Sequence, residues 1–218
     1  MRFAGLKARM TEDLLTVFVV DDDAGVRKSL VRLLESAGYH TESFASAEAF
    51  LQRWQGDPVP GCVLLDILMP GLDGLQLQRK LQTSTDGIPI IFITGHGDIP
   101  SSVTAMKAGA VDFFTKPFKD EDLLRAVREA MERDHRERSE RAERGALLRL
   151  FETLTPRERD VMALVVRGML NKQIAFALGT SEKTIKIHRG RVMEKMQVDS
   201  VANLVRAAQK IGLDHRPT

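Results

Sequence analysis

Acidic residues end two short apolar runs in the first half of the sequence. Asp21, Asp22 and Asp23 follow VFVV, and Asp66 closes CVLLD. If these runs are adjacent parallel strands, their carboxylates meet at one edge of a sheet, where open α/β folds bind their ligands. Carboxylates that converge repel one another, and a hard divalent cation such as Mg²⁺, which prefers oxygen ligands, relieves that repulsion. The spacing therefore predicts a cation site at this edge of the sheet.

Two further runs end in a hydroxyl and an ammonium group. Thr94 closes IPIIFIT, and Lys116 follows DFFT. A carboxylate nucleophile, a cation that neutralises developing charge and two donors for phosphate oxygens together make a phosphoryl-transfer site. Each residue alone has an ordinary structural interpretation, as a turn, a helix cap or a solvated lysine. Their joint occurrence at four strand ends favours phosphoryl chemistry.

The elements that would position these residues alternate along the first half of the chain. Short β-branched runs predict strands, and the stretches between them predict helices. Strands and helices in alternation predict an α/β fold, a doubly wound five-stranded parallel sheet covered by helices on both faces. The predicted strands are 16–20, 40–44, 62–66, 88–94 and 111–115, and the predicted helices are 24–37, 46–53, 73–82, 100–108 and one from 119 onward.

The last of these helices leads out of the first domain. Its pattern continues to about Gly145, and beyond Met131 it becomes the charged stretch ERDHRERSERAER. No apolar heptad runs through this stretch, so we interpret it as a solvated helical linker. The sequence is thus divided into an N-terminal extension (1–14), a first domain (15–131), a charged linker (132–150) and a second domain (151–218).

The second domain is predicted to be small and entirely helical. Thr155, Pro156 and Glu158 form the signature of a capping box that begins the first helix. Helices are predicted for 171–178, for 182–195 after Ser181 and for 201–211 after Ser200. A helix, a tight turn with glycine and a second helix form the helix-turn-helix pattern.

Charge separates the two domains. The net charge is −3 over residues 1–118, −1 over 119–145 and +6 over 146–218, so the second domain is the candidate for a polyanionic partner. Its third helix, EKTIKIHRGRVMEK, buries Ile185 and Val192 by spacing and turns lysines and arginines outward. Such a helix is typical of one that reads DNA in the major groove.

Composition limits the class of protein further. The 218 residues suffice for two domains. The single cysteine, Cys62, excludes a disulfide framework and suits a reducing compartment. No run reaches the roughly 18 apolar residues that span a bilayer, and the N-terminus lacks the apolar core of a secretory signal. We expect a cytoplasmic protein without a membrane partner.

The first domain resembles the receiver domain of response regulators. The segments VFVVDDD, LLDILMPGLDG, FITGHGD and KAGAVDFFTKPF carry this resemblance over about residues 15–130. It implies that Asp66 is the phospho-acceptor and that Thr94 and Lys116 bind the phosphoryl group. It also implies that Thr94 and Phe113 act as the switch. The implied Mg²⁺ ligands are Asp21, Asp22, Asp66 and the backbone carbonyl of Leu68.

Residues 154–211 resemble the DNA-binding domain of LuxR-type regulators. The matching segments are LTPRERDVM, RGMLNKQIAFALGTSEKTIKIHR and VMEKMQVDSVANLV, and the whole chain resembles the FixJ/NarL class. Gly190 departs from the pattern because some relatives place a base-contacting side chain there. The residues implied to face DNA are Thr184, Lys186, Ile187 and Arg191, with Asn171 and Lys172 supporting the scaffold helix.

The resemblance implies a transcription factor rather than an enzyme. A sensor histidine kinase would phosphorylate Asp66, and the protein would then bind promoter DNA and regulate transcription, with activation the commoner outcome and RNA polymerase a further partner. One alternative is a phosphatase of the haloacid dehalogenase type, but its nucleophile lies on the first strand in a D-x-D-x-T/V setting, and here Ala24 and Gly25 follow the acids. A second alternative is a receiver that is never phosphorylated.

Communication between the domains has two candidate mechanisms. Phosphorylation would alter the face formed by the fourth helix, fifth strand and fifth helix of the receiver, and the protein would form a homodimer through that face. The last helix, with Val201, Leu204, Val205 and Ala208 on one stripe, is a second candidate pairing surface. Relief of inhibition between the two domains is the alternative mechanism.

Overall fold

The computed structural model describes residues 15–56, 59–82, 87–95 and 99–213. Contacts within the chain divide it into two units, with the boundary between Glu137 and Arg138. The strands of the first unit are β1 (Thr16–Val20), β2 (His40–Phe44), β3 (Gly61–Leu65), β4 (Ile90–Thr94) and β5 (Asp112–Thr115). They form a five-stranded parallel sheet in the order β2-β1-β3-β4-β5, which confirms the predicted fold class.

Helices cover both faces of this sheet because side chains alternate along each strand. The helices of this unit are α1 (Ala24–Ser36), α2 (Ala47–Gly56), α3 (Gly74–Gln82), α4 (Ile99–Lys107) and α5 (Asp120–Glu152). Val17 and Val19 of β1 pack under α1 and α5, whereas Phe18 and Val20 pack under α2, α3 and α4. The three central strands are completely buried, as expected where helices cover both faces.

The fifth helix is longer than the sequence predicts. We expected it to end at about Gly145, but α5 continues to Glu152 and carries the chain from one unit into the other. Most side chains of the predicted linker are exposed, but Asp134 is fully buried and its Oδ2 accepts a hydrogen bond from Gly61 N at 3.0 Å. The interpretation of a fully solvated linker is therefore wrong at Asp134.

Among the described residues, the second unit consists of helices joined by short turns and loops and contains no strand. Thr155 and Glu158 form the predicted capping box, with each side chain accepting a hydrogen bond from the other residue's N–H. Ser181 and Ser200 accept hydrogen bonds from Thr184 N and Asn203 N, both at 3.2 Å. The helices after α5 are α6 (Pro156–Val166), α7 (Asn171–Ala177), α8 (Glu182–Lys195) and α9 (Val201–Lys210).

Two of the four residues of the predicted pairing stripe on α9 are buried in the core of the second unit. Leu204 and Ala208 have no exposed surface and belong to the core of the second unit, and Val201 packs against that core. A side chain that is buried within its own domain cannot also contact a second copy. Leu204 and Ala208 therefore cannot pair DNA-binding domains, whereas Val201 and Val205 are partly exposed, and pairing through α9 stays a prediction.

The single cysteine of the chain lies in the core of the first unit. Cys62 is fully buried on the central strand β3, and burial raises the pKa of its thiol. Among the residues that the structure describes, no helix combines the length and the apolar character that a membrane crossing requires.

Candidate functional site

An acidic pocket lies at the carboxyl ends of β1 and β3. These strands pair in parallel with Val20 opposite Leu65, and Asp66 N donates to Val20 O at 2.8 Å. Asp21, Asp22 and Asp66 each place a carboxylate oxygen within 4.8 Å of the others. Asp21 and Asp66 are buried, and Asp22 is exposed. The strand register thus brings the predicted acids together, with one side open to solvent.

Asp66 has the least favourable environment of the three. Within the described part of the chain, its Oδ1 is buried and has no hydrogen-bond partner. Burial raises the pKa of Asp66 from 3.8 to about 6; the Lys116 ammonium opposes this rise, and Asp21 and Asp22 add to it. A cation bound here would compensate both the unmet hydrogen bond and the repulsion between the carboxylates.

Lys116 and Thr94 lie at the same edge of the sheet. Lys116 Nζ is 2.7 Å from Asp21 Oδ2, and Lys116 N donates to Thr94 O at 2.8 Å. Thr94 is fully buried. Phe113 is partly buried on β5, and its ring centroid lies 6.4 Å from that of Phe92. The acids, the hydroxyl and the ammonium therefore share one end of the sheet.

Two neighbours of the pocket have contacts that the sequence analysis missed. Asp23 Oδ1 accepts hydrogen bonds from Gly25 N at 2.7 Å and Val26 N at 3.0 Å, so it caps α1, and these bonds lower its pKa. Arg27 Nη1 donates to the backbone carbonyl of Asp21 at 2.6 Å. The position of Arg27 in the helix directly after the acids was the available signal.

The loop after Asp66, residues 67–73, carries the Leu68 carbonyl. We call it the β3–α3 loop. Gly74 closes it, since Gly74 N donates to Ile67 O at 2.9 Å, and a Cβ on Gly74 would lie only 2.2 Å from Asp66 O. Glu48 of α2, which the sequence analysis did not single out, accepts a hydrogen bond from Leu72 N at 3.0 Å. No local pattern connects residues so far apart in the sequence.

The helix α8 presents a basic, partly apolar face to solvent. Ile185 and Val192 have no exposed surface, and Ile187 is 50% exposed. Thr184 is half-buried, with its hydroxyl 2.9 Å from that of Ser181. The exposed residues of α8 are Glu182, Lys183, Lys186, Ile187, Gly190, Arg191 and Glu194.

A polar contact joins α7 to α8. Arg189 Nη1 donates to Asn171 Oδ1 at 3.0 Å, and Lys172 beside it is exposed. Asn171 therefore fixes one helix against the other, whereas Lys172 is open to a partner. Lysines and arginines on such a face can neutralise phosphates along a nucleic acid backbone.

Comparisons with known proteins match both units. The family described as response regulator receiver domain matches residues 17–128, and the family described as bacterial regulatory proteins, luxR family, matches residues 152–208. Nodulation protein W of Bradyrhizobium diazoefficiens is 50% identical over 93% of this chain and 88% of its own length. The transcriptional regulatory protein FixJ of the same organism is 41% identical over 90% and 96%. The solved structure of response regulator StyR is similar with a TM-score of 0.79 and 48% identity, over 89% of this chain and 98% of that one.

Proposed function

Because this chain belongs to the response regulators of the FixJ/NarL class, in which a receiver domain is joined to a LuxR-type DNA-binding domain, we propose that phosphorylation of Asp66 controls its binding to promoter DNA. The observation that carries this proposal is the environment of Asp66. It is a buried carboxylate with an unmet hydrogen bond, placed beside two further acids and near a lysine. Such an environment suits a carboxylate that acts as a nucleophile and forms a covalent bond to phosphorus.

The residues of the acidic pocket fit a Mg²⁺ ion. Asp21, Asp22, Asp66 and the carbonyl of Leu68 would hold it, since all offer hard oxygen ligands. A bound Mg²⁺ neutralises the negative charge that develops on the transferring phosphoryl group. The orphaned Oδ1 of Asp66 supports this assignment.

The transfer itself uses the side chains at the strand ends. A carboxylate oxygen of Asp66 forms a bond to phosphorus, the bond from phosphorus to the histidine nitrogen of a sensor kinase breaks, and that imidazole keeps the electron pair and takes a proton. Lys116 leaves Asp21, to which it is bound at 2.7 Å, and binds a phosphoryl oxygen. Thr94 donates its hydroxyl to another oxygen.

The same residues would carry the switch. Phosphorylation replaces the single negative charge of the Asp66 carboxylate with about −1.5 to −2 charges on the phosphoryl group. Movement of Thr94 toward the phosphoryl group leaves space that the partly buried ring of Phe113 can fill. The change reaches the face formed by α4, β5 and α5, and we propose that phosphorylated receivers dimerise through it. Val103 and Met106 on α4, each 44% exposed, provide apolar surface for that contact.

A labelling experiment tests the phospho-acceptor. The full chain is incubated with a small phosphodonor, with and without Mg²⁺, and Asp66→Asn is compared with Asp120→Asn, which removes an exposed acid elsewhere in the receiver. We expect Mg²⁺-dependent labelling of the wild type and of Asp120→Asn, and none of Asp66→Asn. Labelling that survives in Asp66→Asn would refute the assignment, and sustained turnover of a phosphate ester would favour a phosphatase.

A binding experiment tests the DNA contacts. We propose that Lys172, Thr184, Lys186, Ile187 and Arg191 contact DNA, with Asn171 holding α7 against α8. Lys186→Ala should weaken binding to a selected promoter duplex, and the wild-type affinity should fall steeply as salt rises because counterions are released. Lys28→Ala, an exposed lysine of the receiver, is the control. If affinity ignores both salt and Lys186→Ala, the assignment of α8 fails.

The remaining partners follow from the class of protein. Relatives are transcriptional regulators, and we propose that this chain acts in the cytoplasm, where promoter DNA is found, and recruits RNA polymerase as an activator. Transcription in vitro from a bound promoter, with and without phosphorylation, tests this. If Asp66→Asn changes neither DNA binding nor transcription, the receiver does not control the output.

A further inference from the structure

The β3–α3 loop is fixed at both of its ends. At its start, Asp66 N donates to Val20 O at 2.8 Å, and at its end Gly74 N donates to Ile67 O at 2.9 Å. Asp73 and Gln76 exchange hydrogen bonds, from Gln76 N to Asp73 Oδ1 at 2.7 Å and from Asp73 N to Gln76 Oε1 at 3.1 Å. These contacts fix the strand end and the helix start but do not reach the middle of the loop.

A side chain from α2 holds the middle of the loop. Glu48 Oε1 accepts a hydrogen bond from Leu72 N at 3.0 Å. The same oxygen lies 3.0 Å from where a Cβ on Gly71 would stand, and Gly71 has a φ of +80°, which favours glycine. The backbone of the loop therefore approaches the carboxylate closely at two consecutive residues.

The helix that carries Glu48, α2, is packed against the core of the first unit. Ala47 and Phe50, on either side of it in the sequence, have no exposed surface and pack in the core below the sheet. The backbone N–H of Glu48, followed by that of Leu72, lowers the pKa of the Glu48 carboxyl, so the group is charged at neutral pH. A charged acceptor makes a stronger hydrogen bond than a neutral one.

We propose that Glu48 is a positioning residue for the cation of the acidic pocket, because it holds the β3–α3 loop in the conformation in which the Leu68 carbonyl joins the three carboxylates as a ligand. This inference rests on the proposed Mg²⁺ site. A carbonyl that is already ordered loses less conformational entropy when the cation binds. Groups that orient the ligands of a metal contribute to its affinity without touching it.

The competing explanation is purely structural. Glu48 lies in the first turn of α2, where a negative charge stabilises a helix through its dipole. In that case the charge alone matters, and cation binding is independent of the contact with Leu72. Glu48→Gln distinguishes the two explanations, since an amide oxygen accepts the same hydrogen bond but carries no charge.

Calorimetric titration of the full, unphosphorylated chain with Mg²⁺ separates them. Glu48→Ala should raise the Kd for Mg²⁺ by about threefold to tenfold, at or below the low end of the effect of removing a group that orients a metal ligand. Glu48→Gln should recover most of the affinity. Glu35→Ala, which removes an exposed acid from α1, should match the wild type.

Amide hydrogen exchange at Leu72 provides a second measurement on the same proteins. The exchange should accelerate in Glu48→Ala and return toward the wild-type rate in Glu48→Gln. Accelerated exchange with an unchanged Kd would overturn the inference, as would equal losses of affinity in the alanine and glutamine variants. If the wild type binds no Mg²⁺, the cation site itself is wrong; if it binds and Glu48→Ala binds equally well, only the role of Glu48 is wrong.

Discussion

The surroundings of Asp66 disfavour the ionised form of its carboxyl group. Its pKa is raised from 3.8 to about 6, first by burial, so between these values the folded state binds more protons than the unfolded state. Stability therefore falls as pH rises through that interval and stays lower above it. Asparagine at position 66 carries no charge and so removes the loss of stability that comes from burying the ionised carboxylate. Asp66→Asn should raise the free energy of unfolding by about 1 to 2 kcal/mol near neutral pH without Mg²⁺.

Urea unfolding of the two proteins near pH 7.5 and near pH 4 measures the difference. The gain should disappear at the lower pH, where Asp66 is protonated in the folded state. Mg²⁺ at neutral pH should stabilise the wild type and leave Asp66→Asn almost unchanged, because a ligand stabilises only the state that binds it. A gain that is independent of pH would contradict the electrostatic explanation.

Gly190 provides a test of the exposed face of α8. A Cβ at this position meets nothing, and the residue has no positive φ, so alanine fits without strain. Gly190→Ala should stabilise the second unit by up to about 1 kcal/mol, the difference in helix propensity. Gly179 has a φ of +62° in the turn between α7 and α8, so Gly179→Ala should destabilise it. Thermal unfolding followed by far-ultraviolet circular dichroism measures both, and the opposite signs would refute the assignment of this surface.

Among the elements, α9 shows that an apolar stripe can hold core residues where the sequence predicts a pairing surface. An apolar stripe indicates that a helix buries one face, but it is the same whether the face meets its own domain or another molecule. Leu204 has no exposed surface, so Leu204→Ala should cost about 2 to 5 kcal/mol of stability. Arg206→Ala, on the exposed side of the same helix, should change stability by less than about 0.5 kcal/mol. A change of dimerisation without a loss of stability in Leu204→Ala would contradict the assignment of Leu204 to the core.

Elements with local signals were predictable from the sequence. The strands lie within two residues of their predicted positions, and the Thr155 cap forms as expected, because the residues that specify these features are close in sequence. The acidic pocket was predictable for a related reason: parallel strands bring their carboxyl ends to one edge.

Contacts between distant residues were not predictable in the same way. Asp134 was expected to be solvated, yet it binds the N–H of Gly61, 73 residues away. Glu48 and Leu72 are 24 residues apart, and Arg189 and Asn171 are 18 apart. A polar side chain in a helix has the same local pattern whether it faces water or the backbone of another element. Only the packing of the fold distinguishes the two cases.

If Asp66 is phosphorylated as proposed, the change must pass from the receiver to DNA binding by the second unit. Two linked DNA-binding domains gain affinity through effective concentration without any new base contact. If the face of α4, β5 and α5 pairs on phosphorylation, sedimentation should show a dimer of the phosphorylated full chain and a monomer of the unphosphorylated one. Met106→Asp, which places a charge on exposed apolar surface of α4, should keep the phosphorylated protein monomeric.

Glu35→Ala is a suitable control, since it removes charge at an exposed position on α1, outside that face. Monomers of both forms, at concentrations where phosphorylation tightens DNA binding, would indicate that phosphorylation relieves inhibition between the units instead.

The buried thiol of Cys62 on β3 and the aromatic residues of the first unit are built-in probes of the state of the receiver. The chain has one cysteine, one tryptophan and one tyrosine, and Cys62, Trp54 and Tyr39 all lie in the first unit. Intrinsic fluorescence from Trp54 and Tyr39 therefore reports on the receiver and does not report directly on the unfolding of the second unit. A thiol reagent reaches Cys62 only when the central strand opens, so its rate measures the free energy of that opening. A phosphodonor can therefore be added to the intact chain and any change in the receiver followed by both signals, without an attached fluorescent dye.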